Sequence, residues 1–130
     1  MKHIGLAIGV AATVAASLIG VANAGYKWTF GTVAVKNTDG SGYGYAAQGT
    51  ARANANTSER VYCSFYTGSV TCGITNASNV SVACSTSDAA MMTVLRSFGT
   101  DSYLYISFDS TGKCTYVNVF TDSGLQPKVT

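Results

Sequence analysis

Apolar residues recur with a period of two along most of the chain, the pattern of half-buried strands. Val61, Cys63 and Phe65 share one parity and Tyr62, Ser64 and Tyr66 the other, while Val70, Cys72 and Ile74 resume the apolar parity after Thr67-Gly68. A two-residue turn at Thr67-Gly68 sets Phe65 against Val70, Cys63 against Cys72, and Val61 against Ile74, so both strands bury one side. A slip of one residue would bury the polar side instead. Val80, Val82 and Cys84 keep that side only if the connection near Asn76-Ala77-Ser78 holds an odd number of residues, and a three-residue loop satisfies this. Leu104, Ile106 and Phe108 form the inward side of a later strand, with Tyr103 and Tyr105 outward. Asp109-Ser110-Thr111-Gly112-Lys113 has the residues of a type I turn followed by a glycine bulge, which places Cys114 beside Phe108.

The remaining segments depart from this pattern. Tyr26, Trp28 and Phe30 alternate before Gly31 shifts the apolar parity to Val33 and Val35, which predicts a strand with a bulge. Residues 37–45, containing Asp39-Gly40 and Gly-Ser-Gly-Tyr-Gly-Tyr, read as a turn and a Gly-rich connector. A short strand follows to about Thr50, and Ala51 to Ser58 reads as irregular surface with a helical turn as the alternative. Ser85-Thr86-Ser87-Asp88 resembles a capping box, and Met91, Val94, Leu95 and Phe98 follow at helical spacing before Gly99, predicting a helix over 86–98. The tail with Pro127 reads as irregular. The resulting fold class is α+β: one antiparallel β-sheet with one α-helix packed on its apolar face, stabilised by disulfides.

The first 24 residues change the setting. Met1-Lys2-His3, an apolar run from Ile4 to Val21 and Ala22-Asn23-Ala24 are the three parts of a secretion signal peptide, with cleavage expected after Ala24. Removing them from 130 residues leaves 106, enough for a single domain over 25–130. The product is expected to be secreted, either extracellular or, from a Gram-negative bacterium, periplasmic. No membrane-length apolar run follows, so no membrane association is expected after cleavage. Four cysteines in a small exported chain read as two disulfides. With Cys63, Cys72, Cys84 and Cys114 all on inward parities, the favoured pairing is Cys63 with Cys72 and Cys84 with Cys114; the sequence leaves the other two pairings open.

Charge and composition then narrow the chemistry. Eight Lys and Arg stand against six Asp and Glu, too balanced for a basic nucleic-acid groove, so no nucleic-acid partner is expected. The single histidine, His3, lies in the signal, which leaves the exported chain without an imidazole base or ligand. Asp39 and Asp109 sit in turns, Asp88 at a helix start, Asp101 and Asp122 at strand ends, and Glu59 beside Arg60, so no carboxylate pair is singled out. The sequence therefore assigns no catalytic, cofactor-binding or metal-binding residue, and no enzyme activity is expected. What remains is a set of outward tyrosines, Tyr62, Tyr66, Tyr103 and Tyr105, interleaved with Ser64, Ser69, Thr71 and Ser107. Such an amphipathic face of low charge suits a protein partner, with carbohydrate as a further class.

Ala51-Arg52, Tyr62-Cys63, Cys84-Ser85-Thr86, Asp101-Ser102-Tyr103, Gly112-Lys113-Cys114-Thr115 and Pro127-Lys128 resemble the short motifs of small exported four-cysteine bacterial proteins of uncharacterised function. That resemblance covers Ala51 to Lys128 and implies no activity, ligand or catalytic residue. The functional expectation is a secreted, non-catalytic interaction or structural protein. Self-association into a filament or matrix subunit is one concrete form, through the tyrosine face or a sheet edge. The alternative is a secreted inhibitor or toxin-like effector of an extracellular enzyme.

Overall fold

The structure is a computed structural model and describes residues 31–53, 55 and 57–122. The expected signal segment, the strand expected at Tyr26, Trp28 and Phe30, and the tail containing Pro127 lie outside the described residues. Seven strands and two short helices follow one another as β1 (Val33–Lys36), β2 (Gly42–Ala47), α1 (Gln48–Ala53), β3 (Arg60–Tyr66), β4 (Ser69–Thr75), β5 (Ser81–Thr86), α2 (Ala89–Leu95), β6 (Ser102–Phe108) and β7 (Cys114–Thr121).

These strands form two antiparallel sheets. Sheet A has the order β1-β2-β6-β7 and sheet B the order β3-β4-β5. The single sheet covered by a helix is therefore corrected: the apolar side of sheet B faces another sheet. Val70, Cys72, Ile74, Val82 and Cys84 from sheet B enclose one core with Ala34, Ala46, Leu104, Ile106 and Val117 from sheet A. Helix α2 flanks this core, packing on β7 and β4 through the fully buried Leu95. It is also shorter than residues 86–98. Thr86 remains in β5, and the N-cap is Asp88, whose carboxylate accepts the Met91 N–H at 2.9 Å. Val94, on the expected apolar stripe, is exposed.

The Gly-rich connector is likewise corrected, because only residues 37–41 form the turn and Gly42–Ala47 forms β2. Strand β2 alternates small residues inward (Gly42, Gly44, Ala46) with tyrosines outward (Tyr43, Tyr45). The smallness is required at Gly44: a Cβ there would lie 2.9 Å from a Val82 methyl and 3.3 Å from an Ile74 methyl on the opposite sheet. The two sheets close where β2 offers no side chain. The helical turn after β2 forms as α1, starting at Gln48, so the strand ends before Thr50.

Other sequence expectations hold in detail. The β3–β4 register pairs Phe65 with Val70, Cys63 with Cys72 and Val61 with Ile74. Phe108 pairs with Cys114 across the bulge. The disulfides are Cys63–Cys72 and Cys84–Cys114. The first lies within sheet B, and the second ties β5 of sheet B to β7 of sheet A, beside a short parallel bridge between Ser85 and Lys113.

Three hairpins use one loop design. In residues 37–41, 76–80 and 109–113 the first N–H donates to the fifth carbonyl, and the fourth N–H donates to the first carbonyl. The fourth residue is left-handed in each: Gly40 at φ 90°, Asn79 at φ 63° and Gly112 at φ 83°. A type I turn followed by a left-handed residue is the expected three-residue loop. Val80 closes its loop and is exposed, so the inward residues of β5 are Val82, Cys84 and Thr86.

Candidate functional site

Pleating sends alternate residues of β2, β6 and β7 to the outer face of sheet A. Register then sets them side by side: Tyr45 opposite Tyr105, Ala47 opposite Tyr103, Tyr103 opposite Phe120, and Ser107 opposite Tyr116. Val33 and Val35 of β1 extend the row opposite Tyr45 and Tyr43. The result is an aromatic field on β2, β6 and β7, flanked by the two valines of β1.

Its rings touch in sequence. Tyr105 stacks on Tyr43 with centroids 6.2 Å apart and on Tyr45 at 6.3 Å, and meets Tyr116 edge-on at 5.8 Å. Tyr103 lies 6.0 Å from Tyr45 at a tilt. Such aromatic pairs prefer offset-stacked and edge-to-face geometry, and both occur here. The field is nonetheless open: Tyr43, Tyr116 and Phe120 are exposed, Tyr116 at 55%. Burial raises the Tyr103 phenol above its ordinary value, with a smaller contribution from the Tyr45 and Tyr105 phenols beside it.

The four tyrosines singled out from sequence do not form one surface. Tyr103 and Tyr105 lie in this field, whereas Tyr62 and Tyr66 lie on the outer face of sheet B. Tyr62 covers Gly73 on the neighbouring strand, where an added Cβ would meet the ring at 2.5 to 2.6 Å, and the Arg60 guanidinium sits 4.8 Å from the ring centroid. Tyr66, at the end of β3, is 59% exposed. Of the interleaved hydroxyls, Thr71 pairs with Ser85 at 2.7 Å and Ser107 with Thr115 at 3.0 Å. Sequence reasoning missed Tyr43, Tyr45 and Tyr116. The signal was present in Gly42-Tyr43-Gly44-Tyr45-Ala46, whose period of two is carried by large and small residues instead of apolar and polar ones.

The acids occupy local roles. The Asp109 carboxylate accepts the Thr111 hydroxyl at 2.6 Å and the Thr111 and Lys113 N–H groups, and Asp39 accepts the Ser41 hydroxyl and N–H. These bonds, the hydroxyl one first in each case, hold both carboxyls below their ordinary range. Among the described residues, no group of three or more Cys, His, Asp or Glu side chains comes together as a metal site. A surface cleft of about 350 Å³ beside the inter-sheet disulfide contains Asp88 and Lys113, but the Asp88 carboxylate is the α2 cap.

Compared with protein-family models, characterised proteins and solved structures, the chain matches none.

Proposed function

We propose that this is an exported, non-catalytic interaction or structural protein whose binding surface is the outer face of sheet A. The observation that carries the reading is the inversion in β2, where glycine and alanine face the core and tyrosines face outward. Apolar mass placed outside, in mutual contact and uncharged, makes a surface of the composition that protein partners bury. Tyrosine suits that role because a large, rigid ring with a polar tip gives contact area at low entropic cost. Two disulfides fit an oxidising compartment, extracellular or periplasmic.

The ring geometry favours a protein over a sugar. A pyranose lies on an open ring face, whereas Tyr43 and Tyr45 each turn a face toward Tyr105. The test uses the double variant Tyr43→Ser/Tyr116→Ser, at two exposed positions whose loss leaves the core intact. Immobilised wild type is expected to retain a defined protein from the culture fluid of the source organism, and the variant to lose it. Equal capture by both overturns the assignment of the face. Retention of one hydrolase in stoichiometric amount would favour the inhibitor reading, and retention by insoluble polysaccharide alone would overturn the protein-partner reading.

A further inference from the structure

The four sheet edges of this molecule are not alike. Strand β1 has four residues, β5 is engaged at Ser85, whose N–H donates to the Gly112 carbonyl at 3.0 Å, and β7 carries a bulge and packs against α2. Short length, covering elements and bulges are the ordinary protections of an edge. Strand β3 has seven residues, shows no register shift and, among the described residues, pairs on one side only with β4, with α1 packed near its Arg60–Val61 end.

The direction of its free hydrogen-bonding groups follows from register. A two-residue turn makes Tyr66 and Ser69 a hydrogen-bonded pair, and the pairs then alternate, so Phe65, Cys63 and Val61 belong to non-hydrogen-bonded pairs. The Cα atoms of Cys63 and Cys72 lie 4.1 Å apart, the short spacing of that class. The N–H and C=O groups of Val61, Cys63 and Phe65 therefore point away from β4. Phe65 has the parity of the core yet is 48% exposed, because it sits at the margin of sheet B.

We propose that β3 is a self-association edge, at which two copies of this chain pair antiparallel about a twofold axis through Cys63. That register uses all seven residues. It sets Cys63 opposite Cys63 of the second copy and Val61 opposite Phe65, which are the residues whose backbone groups point outward. Each of these pairs exchanges two hydrogen bonds, and the two three-stranded sheets become one of six strands. The side chains agree with the backbone: the half-exposed Phe65 gains the partner's Val61 as an apolar neighbour, and Arg60 comes opposite the exposed ring of Tyr66. The edge is separate from the tyrosine field of sheet A, so the interface leaves that face open.

The test is sedimentation equilibrium of the exported protein over a concentration series, with amide exchange read residue by residue. A monomer–dimer equilibrium is expected. The Val61, Cys63 and Phe65 amides should gain protection with concentration, while those of Tyr62 and Ser64, already bonded to β4, should not change. Phe65→Lys places a charge at the edge and is expected to weaken the dimer by about tenfold or more. Tyr43→Ser/Tyr116→Ser is expected to dimerise as wild type does, which separates this edge from the tyrosine face. A protein that stays monomeric at the highest concentration, or a dimer whose Val61, Cys63 and Phe65 amides exchange as freely as in the monomer, overturns the proposal.

Discussion

Sheets A and B have equal need of a smooth inner face, and they meet it in opposite ways. In sheet B the large residues point inward: Val70, Ile74 and Val82 fill the core, and the outer face is mostly serine, threonine and glycine. Its one central outer ring, Tyr62, is occupied in covering Gly73. In sheet A the central strand β2 gives its inward positions to glycine and alanine, and its large side chains go outside. The difference teaches where to look for function. An outer ring lying over a backbone gap has a structural explanation, whereas Tyr43, Tyr45, Tyr105 and Tyr116, stacked on one another, add apolar area outside the core.

The largest expected effect concerns what joins the sheets. Cys84 and Cys114 are 30 residues apart and link the two sheets; Cys63 and Cys72 are nine apart within one hairpin. By loop-closure entropy the first bridge contributes about 3.5 kcal/mol and the second about 2.5 kcal/mol. Cys84→Ala/Cys114→Ala is thus expected to lose about 1 kcal/mol more in urea unfolding than Cys63→Ala/Cys72→Ala. An equal or reversed order would show that the sheets hold together without their staple.

Next come two of the buried glycines, Gly44 and Gly73. Gly44→Ala presses a methyl between Val82 and Ile74 and is expected to cost about 1–3 kcal/mol by overpacking. Gly73→Ala meets only the ring of Tyr62, a side chain that can swing aside, and is expected to cost less in the same unfolding assay. If Gly73→Ala proves the worse substitution, the outer ring of sheet B is held as rigidly as the core, and the contrast between the faces narrows.

The smallest effect sharpens the contrast on sheet A alone. With the Tyr103 phenol raised in the folded state, the neutral form is the one the fold favours. The associated stability is complete below the ordinary phenol value of 10.0 and is lost as pH rises from there through the raised value. Tyr103→Phe is expected to flatten the alkaline limb of a stability-against-pH curve. An unchanged limb in Tyr103→Phe would mean that the packed field does not bury its hydroxyl.

Much of sheet B was legible in the sequence because its pairings are local. The parity of Val61, Cys63 and Phe65 against Val70, Cys72 and Ile74 fixes a hairpin, a register and a disulfide at once. The loop at Asp109 to Lys113 was legible for the same reason, since a carboxylate at its start and a left-handed glycine near its end are local requirements. Sheet A was not. Its central pairing joins Gly42–Ala47 to Ser102–Phe108, residues far apart in the chain, and glycine at inward positions carries no hydrophobic signal. A Gly-Tyr alternation therefore looked like a connector. The short strand expected to about Thr50 was thus placed too late, and with no second sheet recognised the helix was left to cover the apolar face. The same misplacement hid the extent of the outer face of sheet A: Tyr103 and Tyr105 read as outward, Tyr43 and Tyr45 did not, and Tyr62 and Tyr66, grouped with them in the sequence, lie on the other sheet.

The two disulfides enclose successive stretches of chain that do not overlap. A protease nick between Cys63 and Cys72, or between Cys84 and Cys114, leaves one covalent molecule. A cut at residues 77–79 falls between the two rings and yields two fragments with no bond joining them. That loop is also tightly tied, since the Asn76 carboxamide oxygen accepts from the Ser78 and Val80 N–H groups at 3.0 and 2.9 Å. Resistance to digestion within the paired core thus depends on one asparagine as well as on four sulfurs.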